Sequence, residues 1–153
     1  MKKTVLTILL CGVVALGMTG CGKSKNELDV GNKSNVQISQ NNDVKMSIKD
    51  GTLTNTGATL VLTNNSDKNF QYGNPYEIEI KKDGKWHKIN VELYFNMPIF
   101  QLSSKENKEM KLDWENGYGK LAKGTYRIIK GIDYEYEEGK FETFNVAVEF
   151  TIE

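Results

Sequence analysis

The chain has 153 residues, in which 20 Lys and Arg balance 20 Asp and Glu, with one histidine and two cysteines. A net charge of zero and a single arginine, Arg127, leave no clustered positive charge to grip a polyanion, so no nucleic-acid partner is expected. Both cysteines fall within the first 21 residues, which excludes a disulfide scaffold, a cysteine nucleophile and a thiolate zinc site from the rest of the chain.

Residues 1–21 run from positive charge to apolar stretch to small residue to cysteine. Lys2 and Lys3 precede Thr4 to Met18, which carries almost no polar side chain. The layout is that of a secretory signal, and the run is too short for a comfortable membrane span. Met18-Thr19-Gly20-Cys21 resembles the lipobox of bacterial lipoproteins, with Met18 departing from the usual Leu. The resemblance implies a lipoprotein signal peptide over residues 1–20, cleavage between Gly20 and Cys21, and a diacylglycerol with fatty acyl chains such as palmitate on the Cys21 sulfur. The partner is then the cell membrane, held from its extracytoplasmic face. An ordinary signal peptide with a chance cysteine, or an N-terminal core helix, is the competing reading. Cys11 lies inside the apolar run, and Leu10 before it is too bulky for a cleavage position. Loss of Lys2 and Lys3 leaves 18 basic and 20 acidic residues, a formal charge of −2, on one domain of common size.

Residues 21–43 are expected to form a lipid-anchored flexible tether. The stretch is rich in Asn, Ser and Lys, and Leu28, Val30, Val36 and Ile38 are isolated, too little apolar surface to repay ordering. The twenty-two residues after Cys21, 22–43, reach roughly 25 Å if flexible, at about 5–6 Å times the square root of their number. The alternation of Val36 and Ile38 offers a short first strand as the competing reading.

From Val44 the period is two. Val44, Met46 and Ile48 alternate with polar residues, and Leu60-Val61-Leu62 runs into the turn cluster Thr63-Asn64-Asn65-Ser66-Asp67. Tyr76, Ile78 and Ile80 alternate with charges, as do Met110 and Leu112. Tyr126, Ile128 and Lys130 interleave with Arg127 and Ile129, and the chain closes on Phe144, Val146, Val148, Phe150 and Ile152. Half-buried strands of this kind between Gly, Asn and Asp turns describe an antiparallel sandwich or barrel. No window after residue 21 carries a helical stripe. Pro75 and Pro98 fall at a strand entrance and in a loop or edge, where a missing N–H is tolerated.

One hairpin is open to two registers. Asp83-Gly84 suits a two-residue type I′ turn, which sets Ile80 against His87 and places Glu79 against Lys88 on the solvent face. A three-residue loop with a glycine bulge turns Trp86 toward Ile80 instead. The bulged form is preferred, because a Trp86 left in water wastes a large burial.

Further motifs carry a family resemblance. Gly51 to Gly57 with Ala58-Thr-Leu-Val-Leu-Thr-Asn-Asn65, then Tyr72 to Glu79, Gly84-Lys85-Trp86, and Trp114 to Ile128 together resemble the bacterial Ig-like domain. This is the domain type of lipoproteins and membrane-attached proteins in low-GC Gram-positive bacteria. The resemblance implies an all-β fold, an antiparallel immunoglobulin-like β-sandwich of about seven to eight strands, over residues 44–153. It supplies no catalytic residues. Gly124 and Tyr126 also fit a tyrosine corner, with Gly124 at a sharp entry and Tyr126 opening an inward strand.

Catalytic chemistry is sparse. His87 is the only histidine, so a triad would need Ser103 or Ser104 beside it, and a half-buried structural role is expected instead. Asp133, Glu135, Glu137 and Glu138 lack the spacing of an EF-hand loop, and a solvated acidic segment is expected in place of a weak calcium site. Neither a metal nor another cofactor is expected. Two stretches are candidate partner-binding surfaces. Leu93 to Phe100 reads as a core strand kinked at Pro98, or as a loop presenting Tyr94, Phe95 and Met97. Tyr134 and Tyr136, among acidic residues before Gly139, lie in a solvated hairpin or at a binding loop tip. The expected function is a non-catalytic protein-binding or accessory module at the cell envelope, with a protein as its partner. A protease inhibitor acting through sandwich loops is the alternative, and a hydrolytic enzyme a remote one.

Overall fold

The computed structural model describes residues 28–40 and 42–153. Within them the two-residue period becomes ten strands: β1 Val30–Lys33, β2 Val44–Ile48, β3 Gly57–Asn64, β4 Phe70–Tyr72, β5 Glu77–Lys82, β6 Lys85–Ile89, β7 Phe100–Leu102, β8 Asn107–Asp113, β9 Gly124–Glu137 and β10 Lys140–Ile152. A single helical turn, α1 Glu115–Tyr118, precedes β9. All pairings are antiparallel, in two sheets: β2-β3-β8, and a seven-stranded sheet holding the rest. Ten strands exceed the seven or eight expected because β1, β4 and β7 are only three or four residues long, too short to show a period.

The sheets close on one core. Along β3, Ala58, Leu60, Leu62 and Asn64 are buried while their neighbours stay partly open. Leu60, Leu62 and Met46 of the small sheet join Ile78, Tyr126, Ile128, Ile132 and Phe150 of the large one in a single cluster. Trp114 is buried against Phe150, ring centroids 5.8 Å apart, and donates its indole N–H to the Asn55 carbonyl at 3.0 Å. Asn64 is buried at the end of β3, yet its amide donates to Lys68 O and Ser103 O at 2.7 and 2.9 Å, and its Oδ1 accepts from Ser66 N. A buried amide so satisfied closes the turn cluster at 63–67 at little cost. The tyrosine corner is present: the Tyr126 hydroxyl donates to the Ala122 carbonyl four residues back, at 2.8 Å.

The large sheet is built in two storeys around β9. Strand β10 follows β9 along its whole length, Ile152 opposite Gly124 and Lys140 opposite Glu137. On the other side of β9, β5 covers the lower half (Ile80 opposite Tyr126, Glu77 opposite Ile129), and β4 touches the upper half at Gln71 opposite Asp133. Outside β5 lies β6, outside β4 lies β7, and residues 90–99 leave the sheet between them. The expected core strand over 93–100 is therefore a loop, with pairing resumed only at Phe100. Asn96 and Pro98 interrupt the apolar pattern where a continuous strand would need it, and proline has no N–H for a ladder.

Two expectations about the first half are corrected. Residues 28–40 are not a free tether: β1 pairs with β6 (Val30 opposite Ile89), Ser34 N donates to Trp86 O, and Ser39 N donates to Asn145 O on β10, both at 2.8 Å. Residues 34–39 thus cross the outer face of the large sheet from β6 to β10. The first strand is at 30–33, not at Val36 and Ile38. Ladder bonds and sheet-edge carbonyls hold this segment where its own apolar content is too low.

The hairpin between β5 and β6 takes the two-residue turn, not the bulge. Ile80 faces His87 and Lys82 faces Lys85, with Asp83 and Gly84 at φ 48° and 72°, as a type I′ turn needs. Trp86 stays half-exposed on the outer face, covered by two cations: Lys81 Nζ lies 5.0 Å and Arg127 Cζ 4.8 Å from its ring. Cation–π contact replaces the burial that argued for the bulge.

Candidate functional site

Three groups of residues bear on function: buried charges on the large sheet, the loop at 90–99, and the far end of the β9–β10 hairpin. Gly20 and Cys21, the expected cleavage and lipidation positions, lie outside the described residues, as does the remainder of residues 1–27.

On the outer face of the large sheet, alternation along β5 and β9 sets Glu79 directly opposite Arg127. Arg127 donates from Nη2 and Nε to Glu79 Oε2 at 2.7 and 2.9 Å, and both side chains are buried. Lys88 stands opposite Glu79 as expected, but the ion pair forms with Arg127, and it is not on a solvent face. The crossing segment makes the difference, since Nη2 also reaches Ser34 Oγ at 3.5 Å. The second carboxylate oxygen, Oε1, has no partner among the described residues. A second buried charge, Lys130, points between the sheets and donates to the Gly73 and Pro75 carbonyls, the latter at 3.0 Å. Burial pulls its ammonium down to about 8, against an opposing pull from Asp133. Neither charge was singled out from the chain alone, because alternation places a residue on a face without saying what crosses that face.

The loop at 90–99 is pinned on its inner side and open on its outer side. Phe95 meets Tyr76 edge to face at 5.3 Å, so this candidate anchor belongs to the rim of the core and not to the surface. Leu93 fills the space over Gly117, where an added Cβ would come within 2.3 Å of it. Tyr94, Met97 and Ile99 project outward at 89, 75 and 72% exposure. Inside the loop, an open cleft of about 560 Å³ separates Val91 and Leu93 from Val36, Ile129 and Asn145.

The other candidate surface splits in the same way. Tyr134 is half-buried, 5.8 Å from the Phe70 ring and under Lys68 Nζ at 4.8 Å. Phe70 also meets Phe144 edge to face at 5.7 Å. Tyr136 and Phe141, one step further toward the Glu138-Gly139 turn, are exposed. Three of the acidic residues here are engaged locally: Asp133 accepts from Thr143 Oγ1 at 2.6 Å, Glu135 from Gly139 N at 2.7 Å, and Glu137 pairs with Lys140. Among the described residues no three His, Cys, Asp or Glu gather as metal ligands. His87 is half-buried with Nδ1 3.2 Å from the Gly31 carbonyl, whereas Ser104 Oγ donates to Ser66 O beyond β7, so the hydroxyl of Ser104 is engaged away from His87.

Two antiparallel sheets around one core, a buried tryptophan and a tyrosine corner define an immunoglobulin-like β-sandwich. The chain belongs to the bacterial Ig-like domain family, whose model matches residues 40–151. No curated protein and no solved structure matches it.

Proposed function

We propose that the chain is an exported lipoprotein, carried on diacylglycerol at Cys21, whose Ig-like domain is a non-catalytic protein-binding or accessory module on the extracytoplasmic face of the cell membrane. The order of charge, apolar run, Gly20 and Cys21 supports the anchor. The observation that carries the binding role is the far end of the β9–β10 hairpin, where Tyr136 and Phe141 stand uncovered above the packed base of Tyr134, Phe70 and Phe144. Aromatic side chains held on rigid elements lose little entropy on binding and suit a protein partner.

The test uses the full chain on intact cells. The wild type is expected to incorporate labelled fatty acid and to sediment with membranes, and Cys21→Ala to do neither. A photo-crosslinker at Tyr136 is expected to capture a discrete protein, several-fold more strongly than one at Lys85 at the opposite end of the sheet. Label uptake by Cys21→Ala would remove the anchor from the proposal, and equal capture at the two positions would remove the binding role. A protease as the captured protein would turn the module into an inhibitor.

A further inference from the structure

We infer that the loop at 90–99 rests on the lipid surface of the membrane to which the chain is anchored, with Tyr94, Met97 and Ile99 at the headgroup boundary. The inference builds on lipidation at Cys21 as proposed above.

Three observations lead to it. From Leu93 to Ser104 the chain carries no charge, yet this stretch holds the domain's most exposed large apolar side chains. A tip made of Tyr, Met and Ile suits a lipid interface, where a tyrosine ring sits half apolar and half wet. Its inner residues Leu93 and Phe95 are packed, so the outer ones are held in place and do not fold back over the core. The third observation is where the anchored chain enters. The Asp29 carbonyl accepts from Asn90 N at 2.8 Å, so the chain joins the domain at the base of this loop. Only seven residue steps separate Cys21 from Leu28, a span of at most about 25 Å even fully extended. With residues 28–40 docked on the sheet, the lead is far shorter than a tether running to residue 43. The lipid surface is therefore confined near this edge of the sandwich, and a tethered contact needs little affinity of its own.

The experiment takes the full chain purified from membranes and bound to phosphatidylcholine vesicles, with an environment-sensitive thiol dye at Met97→Cys or, as control, at Lys85→Cys at the start of β6. The dye at position 97 is expected to be quenched by doxyl-labelled phosphatidylcholine and to lose several-fold of its quenching by aqueous iodide relative to the dye at 85. Equal iodide quenching at the two positions on vesicle-bound protein would overturn the inference while leaving the anchor intact. Shielding from iodide without doxyl quenching would mean that a second copy covers the loop, and would also overturn it. If the chain without added cysteines takes up dye and does not sediment with the vesicles, the lipidation reading itself has failed and the inference falls with it.

Discussion

Arg127 shows how one side chain ties three elements together. Its guanidinium holds the carboxylate of Glu79, lies over Trp86 and reaches Ser34 of the crossing segment. A buried pair of this kind is weak support for stability as a pair, but removing one partner leaves a charge without compensation in low dielectric. Arg127→Met is therefore expected to destabilise the full chain by about 3–5 kcal/mol in urea unfolding. Adding Glu79→Leu to that variant should recover most of the loss, since no charge then stays buried alone. A double variant no better than Arg127→Met would show that packing over Trp86, and not the stranded carboxylate, sets the cost.

At the scale of elements, the β5–β6 hairpin rests on a turn with two positive φ angles. Only glycine takes φ near 72° without penalty, so Gly84→Ala should cost about 1 kcal/mol and leave the register of Ile80 against His87 unchanged. Thermal unfolding measures the first, and amide exchange across β5 and β6 the second. A slip to the bulged register, with Trp86 drawn inward, would contradict this. The same hairpin shows what could be read from the chain. Alternating residues at Val44 to Ile48, Tyr76 to Ile80 and Phe144 to Ile152 revealed strands, because burial on one face leaves a two-residue period. Asp83-Gly84 showed the turn, but Trp86 misdirected the choice of register, since cations supplied by Lys81 and Arg127 across strands leave no local signature. Strands β1, β4 and β7 were missed for want of a second period. Of the candidate surfaces, Tyr94, Met97 and Tyr136 are exposed, whereas Phe95 and Tyr134 turned inward onto aromatics far away in sequence.

The molecule as a whole carries an opposition of titrating groups in alkaline solution. Lys130 holds its proton less firmly in the folded chain, at about 8, than in the unfolded one at 10.5. Across that window the unfolded chain binds more protons, so this group's contribution to stability improves as pH rises; below pH 8 both states are charged and the full cost remains. The contribution between pH 8 and 10 is about 2 kcal/mol. Burial pushes the hydroxyls of Tyr72, Tyr76, Tyr118 and Tyr126 above 10. Their unfolded forms thus ionise first, and stability falls once pH exceeds 10. Urea midpoints are expected to rise from pH 8 to 10 and then drop, and Lys130→Met should flatten the rise while keeping the drop. An unchanged rise in that variant would move its origin away from Lys130.

The crossing segment at 34–39 also sets an order of assembly. It is made early in synthesis, yet its end bonds reach Trp86 and Asn145, and Asn145 lies within nine residues of the chain's end. The bond to Asn145 can form only once β10 has been made, and contacts so distant in sequence are slow to close. Until then Glu79 and Arg127 remain hydrated, and the outer face of the large sheet lacks its cover. The N-terminal segment of the domain is thus the first to be synthesised and the last to be locked down.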